Sequence, residues 1–167
     1  MNEKLGIVIP TYQRSEILKE NFILMLKEIQ KFSIPVYIFD DSKDLKTEKW
    51  AKELRLVYPH INYFHNLPNL GHDKNLIQSI MIPNTDYVWL LGDSIIIKQG
   101  AISKILQIID KNKSDIIAVN IKNRDISFVS DSYSDYNEIL SNFGWHLTLT
   151  GATLYSSKAI SFATEKD

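Results

Sequence analysis

At 167 residues, with 44% hydrophobic and 23% charged residues, the chain has the composition of a folded globular protein with a sizeable core, which excludes disorder and fibrous repeats. Nineteen Lys and Arg against twenty Asp and Glu leave a net charge of -1, so no global field attracts nucleic acid, and the absence of cysteine excludes disulfides, thiolate zinc sites and cysteine nucleophiles. No apolar run reaches bilayer-spanning length and the N-terminal one is too short for a signal peptide, which predicts a cytoplasmic protein, with peripheral membrane contact left open.

Residues 5–9 (Leu-Gly-Ile-Val-Ile) form a compact apolar run ended by Pro10, the pattern of a buried strand, with Thr11, Tyr12, Gln13 and Arg14 leaving its carboxyl end. Ser15 is placed to cap a helix whose inner face carries Leu18, Phe22, Met25, Ile29 and Phe32. Ser33-Ile34-Pro35 stops it, and residues 36–39 supply a second strand that ends abruptly in Asp40-Asp41-Ser42. A second helix is expected from about 45 to 57, with Trp50, Ala51, Leu54 and Val57 inward and Pro59 at its end.

Residues 61–64 read as a weaker strand, followed by a polar stretch at 65–72 and a short helix carrying Leu76, Ile77 and Ile80. Residues 87–91 are the next buried strand, broken by Gly92-Asp93-Ser94, with 95–97 continuing extended. Ala101, Ile102, Ile105, Leu106 and Ile109 mark another amphipathic helix, and residues 115–120 a further strand. This alternation predicts an α/β fold with a mostly parallel sheet and helices on both faces. Beyond 120 the pattern loosens: a hairpin at Phe128-Val129, a short helix at 136–143, a strand or loop at 144–151 and a last strand at 152–155 are expected, within one domain covering 1–167.

Three expected strands end in polar groups: Thr11 and Tyr12, Asp40 and Asp41, Asp93 and Ser94. An acidic residue after a strand is usually a helix cap, but parallel strands would bring three such ends to one sheet edge, where open α/β sheets bind ligands. No Gly-x-Gly-x-x-Gly and no Gly-x-x-x-x-Gly-Lys-Ser/Thr loop is present.

Four motifs, Ile-Pro-Thr-Tyr-Gln-Arg at 9–14, Phe-Asp-Asp-Ser at 39–42, Asn-Leu-Gly-His-Asp-Lys-Asn at 69–75 and Tyr-Val-Trp-Leu-Leu-Gly-Asp at 87–93, occur in an order that resembles the family 2 glycosyltransferases of the GT-A type. The resemblance covers roughly the first three quarters of the chain, the nucleotide-sugar-binding half of such an enzyme, with 1–120 as the nucleotide-binding part and 121–167 as the start of an acceptor-binding part that looks cut short. It implies an inverting transfer from a nucleoside diphosphate sugar to a glycan or lipid-linked acceptor, in polysaccharide biosynthesis. Heavy use of Ile, Lys and Asn suggests a bacterial source.

The resemblance implies that Thr11, Tyr12 and Asp41, with Asp40, hold base and ribose, that residues 69–75, Asn69, Gly71 and Lys74 among them, form the loop and helix start beneath the nucleotide, that Asp93 meets the diphosphate, and that Pro10, Arg14 and Ser94 also belong to the nucleotide site. Asp93 stands at the first acidic position of the family's Asp-x-Asp element, and would hold Mn²⁺ or Mg²⁺ together with the nucleotide, since Ser94 and Ile95 follow where further carboxylates are usual. Replacing Asp41 or Asp93 with Ala is expected to weaken nucleotide binding and leave the fold intact. No general base is assigned: Asp131, Asp135 and Glu138 read as surface charges, and Glu165 and Asp167 as a frayed terminus. Trp145, His146 and Thr148 are candidates for an acceptor pocket. The rival reading is a non-catalytic nucleotide-sugar-binding or assembly module with a degenerate metal site.

Overall fold

A computed structural model describes residues 3–111, 113–122 and 126–165. The chain alternates β1 (Glu3–Thr11), α1 (Ser15–Lys31), β2 (Val36–Asp40), α2 (Lys46–Val57), β3 (Ile61–His65), α3 (His72–Met81), β4 (Thr85–Leu90), α4 (Ala101–Lys111) and β5 (Ile116–Ala118). It then forms α5 (Tyr136–Leu147), β6 (Thr153–Ser156) and α6 (Ser157–Thr164). The strands build one sheet in the order β3-β2-β1-β4-β6-β5. β1, β2, β3 and β4 are mutually parallel, whereas β6 runs antiparallel to both β4 and β5. The mostly parallel α/β sheet expected from the sequence is therefore present, with one reversed strand inside it.

Two-residue alternation in β1 sets the layers. Leu5, Ile7 and Ile9 face a core closed by Leu18, Phe22, Met25 and Ile29 of α1, Trp50 and Leu54 of α2, and Ile102, Ile105 and Ile109 of α4. Val8 faces the other side with Phe39, Val88 and Leu90, covered by Leu76 and Ile80 of α3 and Ile160 of α6. Each fully buried Leu, Ile or Phe contributes roughly 1.5–3 kcal/mol relative to exposure, so the larger α1/α2/α4 side is the main source of stability.

Helix ends decide several differences from the sequence expectations. Arg14, not Ser15, stands at the N-cap of α1, and no side chain caps it; Ser15 is the first helical residue. At the other end Ser33 takes φ +52°, while its N–H donates to the Gln30 carbonyl and the Ile34 N–H donates to that of Ile29. This is a Schellman ending in which a serine occupies the left-handed position usually taken by glycine. Ser33→Gly is expected to stabilise the protein by about 0.5–1 kcal/mol, read as a raised midpoint in thermal denaturation.

Val57, the last residue of α2, is 65% exposed, and Tyr58 after it is buried instead, its hydroxyl donating to the Ile34 carbonyl at 2.6 Å. Ile77 is 51% exposed: the face of α3 turned to the sheet carries Asn75, Leu76, Ser79 and Ile80. Residues 95–97 form no strand, since Gly92 and Ile95 close a turn through the Ile95 N–H. Phe128 and Val129 lie in irregular chain rather than a hairpin.

Residues 144–147, expected as strand or loop, continue α5, which buries Phe143 and His146 at helical spacing and is capped by Asp135, whose carboxylate accepts from the Asn137 and Glu138 N–H groups. Glu165 is the C-cap of α6, its N–H donating to the Ser161 carbonyl, and Asp167 lies outside the described residues.

Candidate functional site

The chain lays down β1, β2 and β3 outward in one direction, then returns across β1 to place β4 on its other side. The carboxyl ends of β1 and β4 therefore flank the point where the strand order reverses, the place where parallel sheets open a crevice. Here that crevice is a cavity of about 540 Å³, walled by the end of β1, the β2–α2 turn, the start of α3 and the turn after β4.

Thr11, Asp41 and Asp93 all line it. The Thr11 hydroxyl donates to Asp93 Oδ2 at 3.1 Å across the reversal point, and the Asp41 N–H donates to the Thr11 carbonyl at 3.0 Å, so neighbouring strand ends are tied directly. Asp93 is buried apart from its face toward the cavity, and Arg14 Nε lies 3.3 Å from its Oδ1. The Asn21 side-chain amide donates to the Asp93 carbonyl and holds the backbone of the turn. Tyr12 stands at the rim, 46% exposed, with its ring free of the core.

Asp41 organises the opposite wall. Its Oδ1 accepts from the Leu70 N–H at 2.8 Å and from the Asn66 side-chain amide at 3.2 Å, and its Oδ2 from the Gly71 N–H at 2.8 Å. Asn69 returns a bond to the Asp41 carbonyl at 2.7 Å. Gly71, at φ +83° and ψ 165°, sits in a region that side chains strongly disfavour, and this sharp entry lets α3 begin at the cavity. The buried Asn75 donates to the Phe39 carbonyl and accepts from Asn66, fixing α3 to the end of β2.

Of the residues expected at this site, Pro10, Thr11, Tyr12, Arg14, Asp41, Asn69, Gly71, Asp93 and Ser94 line the cavity. Asp40 does not. It is fully buried, with Oδ1 accepting from the Ser42 N–H and Oδ2 from the Tyr63 hydroxyl, so it shapes the turn that presents Asp41. Lys74 is exposed on α3 and is absent from the cavity wall. His72 and Asn75, within the expected stretch 69–75, line the cavity as well, and Leu76, Gly92 and Thr150 line it without being among the expected residues. His72, Asn75 and Leu76 share one helical face, so the spacing of three and four residues from His72 is the signal in the sequence. Thr150 had none, because it reaches the site from the far end of the chain through the Gly151 N–H bond to the Leu90 carbonyl.

The acceptor-pocket candidates separate. Thr148 lines a smaller neighbouring cavity of about 180 Å³ that shares Leu76 and Thr150 with the larger one. Trp145 is 56% exposed, and His146 is buried with its Nε2 2.9 Å from the Val119 carbonyl; neither lines a cavity described here.

Burial first, then the hydrogen bond to Asp40, raise the Tyr63 hydroxyl far above the ordinary phenol range, and burial likewise raises Tyr37, Tyr58 and Tyr87. A group with a raised folded-state pKa contributes stability that is complete below its unfolded value, about 10, and is lost as pH rises above it. The denaturation midpoint is thus expected to hold to about pH 10 and then fall, and to fall less steeply in Tyr63→Phe.

No group of three or more His, Cys, Asp or Glu able to hold a metal occurs among the described residues. At the cavity, Asp93 offers one carboxylate, with Thr11 on one oxygen and Arg14 beside the other. Such a donor set suits Mg²⁺ or Mn²⁺ only where phosphate oxygens and water complete the shell. Among the described residues no helix is long and apolar enough to cross a membrane.

Compared with known proteins, residues 6–162 match the family described as Glycosyl transferase family 2. The abequosyltransferase RfbV of Salmonella typhimurium (strain LT2) is 31% identical over 115 residues, 67% of this chain and 34% of that protein. Among solved structures, S. aureus TarS 1–349 aligns with a TM-score of 0.67 at 16% identity, over 98% of this chain and 49% of that one. The mannosyltransferase PcManGT from Pyrobaculum calidifontis, in complex with GDP-Man and Mn²⁺, aligns with a TM-score of 0.68 at 11% identity, over 98% and 47%. At these identities the structural likeness speaks for the fold, which is the expected GT-A arrangement. The chain spans about a third of the curated relative's length and about half of these structural neighbours'.

Proposed function

This chain belongs to glycosyl transferase family 2, and from that premise we propose that its cleft binds a nucleoside diphosphate sugar and that the protein transfers the sugar, with inversion, to a glycan or lipid-linked acceptor. The observation that carries the reading is the meeting of three strand ends and the start of α3 around one cavity of about 540 Å³. That volume falls within the range of small-molecule sites.

In this proposal residues 1–120 bind the nucleotide and 121–167 begin the acceptor side. Tyr12 stacks on the base at the rim, and the Asp41 carboxylate, already fixed by backbone donors, presents a remaining lone pair to a base N–H. The N-terminal end of α3, with His72 beside it, favours phosphate through its free N–H groups. Asp93 faces the diphosphate and would hold a divalent cation jointly with it; when bound, the cation stabilises negative charge developing on the departing diphosphate. Thr11 keeps the Asp93 carboxylate turned into the cleft, and Asn69 and Gly71 hold the opposite wall. No described residue is given the role of general base. A charged nucleotide sugar does not cross a bilayer unaided, so the reading places the protein in the cytoplasm, with the membrane as the site of any lipid-linked acceptor.

One observation favours a second reading, a non-catalytic binding or assembly module: a single carboxylate at the metal position, paired with an arginine. Calorimetric titration with UDP, CDP, GDP and dTDP, with and without Mn²⁺, separates the two. Metal-strengthened binding of one diphosphate, together with donor turnover, supports the enzyme. Metal-independent binding without turnover supports the module, and no binding of any diphosphate removes both.

A further inference from the structure

Asp93 has a basic neighbour where a metal-binding carboxylate is usually open. Arg14 Nε lies 3.3 Å from Oδ1, while Oδ2 accepts from the Thr11 hydroxyl at 3.1 Å. The two partners differ in mobility. Thr11 is buried at the end of β1, so its bond is part of the frame, whereas the Arg14 side chain is 47% exposed at the N-cap of α1 and can swing into the cleft it lines. A guanidinium beside a carboxylate oxygen opposes a second cation there and is itself suited to phosphate oxygens.

We propose that Arg14 gates the Asp93 carboxylate: in the ion pair it excludes a free divalent cation from Oδ1, and a diphosphate draws its guanidinium away so that cation and nucleotide are admitted together. The inference rests on the cleft being a nucleotide site, but adds an order of events that the cleft alone does not contain. The gate makes the chain indifferent to free metal and couples the two ligands, because Arg14 exchanges one anionic partner for another without remaining unpaired. By linkage, the factor by which the diphosphate tightens the cation equals the factor by which the cation tightens the diphosphate.

The test is Mn²⁺ binding followed by the electron paramagnetic resonance signal of the free ion, at low ionic strength, in wild type, Arg14→Gln, Arg14→Lys and the double variant Arg14→Gln/Asp93→Asn. Circular dichroism establishes that each is folded. Two positive centres a few ångström apart repel even in a half-exposed site, so Arg14→Gln is expected to bind Mn²⁺ alone about tenfold more tightly than wild type. Arg14→Lys, which keeps the charge, stays near wild type, and the double variant loses the gain. The gain shrinks as salt is added. In wild type, UDP or GDP tightens Mn²⁺, and Arg14→Gln loses most of that coupling.

The gate is overturned if Arg14→Gln binds Mn²⁺ alone no more tightly than wild type, including the case where neither binds measurably, if Arg14→Lys behaves like Arg14→Gln, or if the gain survives loss of Asp93. Failure of every diphosphate to bind wild type would instead remove the nucleotide reading, and the measurement on Mn²⁺ alone would still decide what Arg14 does to Asp93.

Discussion

Asp93→Ala is expected to weaken diphosphate binding in the presence of Mn²⁺ by roughly 100-fold, because it removes the cavity-lining carboxylate that, in the proposed site, would hold the cation jointly with the phosphates. The fold should tolerate the change. The Asp93 backbone keeps its bond from Asn21, and no strand pairing depends on the side chain. The losses are the acceptor for the buried Thr11 hydroxyl, about 1 kcal/mol, and a half-exposed ion pair with Arg14 worth less than about 1 kcal/mol. Calorimetric titration paired with urea denaturation checks both halves. Unchanged affinity would mean that the diphosphate lies elsewhere.

Asp41→Ala should be the more damaging variant, and for a different reason. Asp41 is 2% exposed and its carboxylate accepts from two backbone N–H groups and one side-chain amide, so its loss strands the Leu70 N–H and removes one bond each from Gly71, which keeps Asn69 Oδ1, and Asn66, which keeps Asn75 Oδ1. A destabilisation of about 3 kcal/mol is expected, with diphosphate affinity falling below detection as the 69–71 wall loosens. The sequence-based expectation that this substitution leaves the fold intact is thus corrected by the bonding of the loop. Asp41→Asn separates the roles: one oxygen remains to accept, the destabilisation should be about 1–2 kcal/mol, and affinity should still drop at least tenfold if the carboxylate meets the base. An Asn variant with wild-type affinity would confine Asp41 to holding the loop.

The parts of this site that the sequence revealed are those fixed by continuous apolar runs. Residues 5–9, 36–39 and 87–91 are short, branched and aromatic apolar runs bounded by turn residues, the pattern of buried strands, so the polar residues at their tips could be placed before any coordinates. What stayed hidden depended on direction. Asp40 and Asp41 are adjacent at the end of one strand, and the chain's alternation sends one toward Tyr63 and the other into the cleft; nothing in two identical side chains says which. Lys74 and His72 differ in the same way, by rotation around α3.

Beyond residue 120 the alternation of Gly144-Trp-His-Leu-Thr-Leu imitates a strand, while the cap at Asp135 and the burial of Phe143 and His146 make it helical as far as Leu147. Thr150 was out of reach for a further reason: its place in the cleft follows from β6 pairing with β4 rather than from any local pattern.

That reversed strand has a consequence for how the protein comes into being. β4 leads into the turn that carries Asp93, yet one of its edges is closed by residues 153–156, with Trp89 Nε1 donating to the Gly151 carbonyl at 3.0 Å. During vectorial synthesis, Val88, Trp89 and Leu90 wait beside an open edge, a template for wrong pairing, until some sixty further residues have left the ribosome. The division proposed near residue 120 would therefore be one of labour and not of assembly: the pairing of β4 is not complete before β6 arrives.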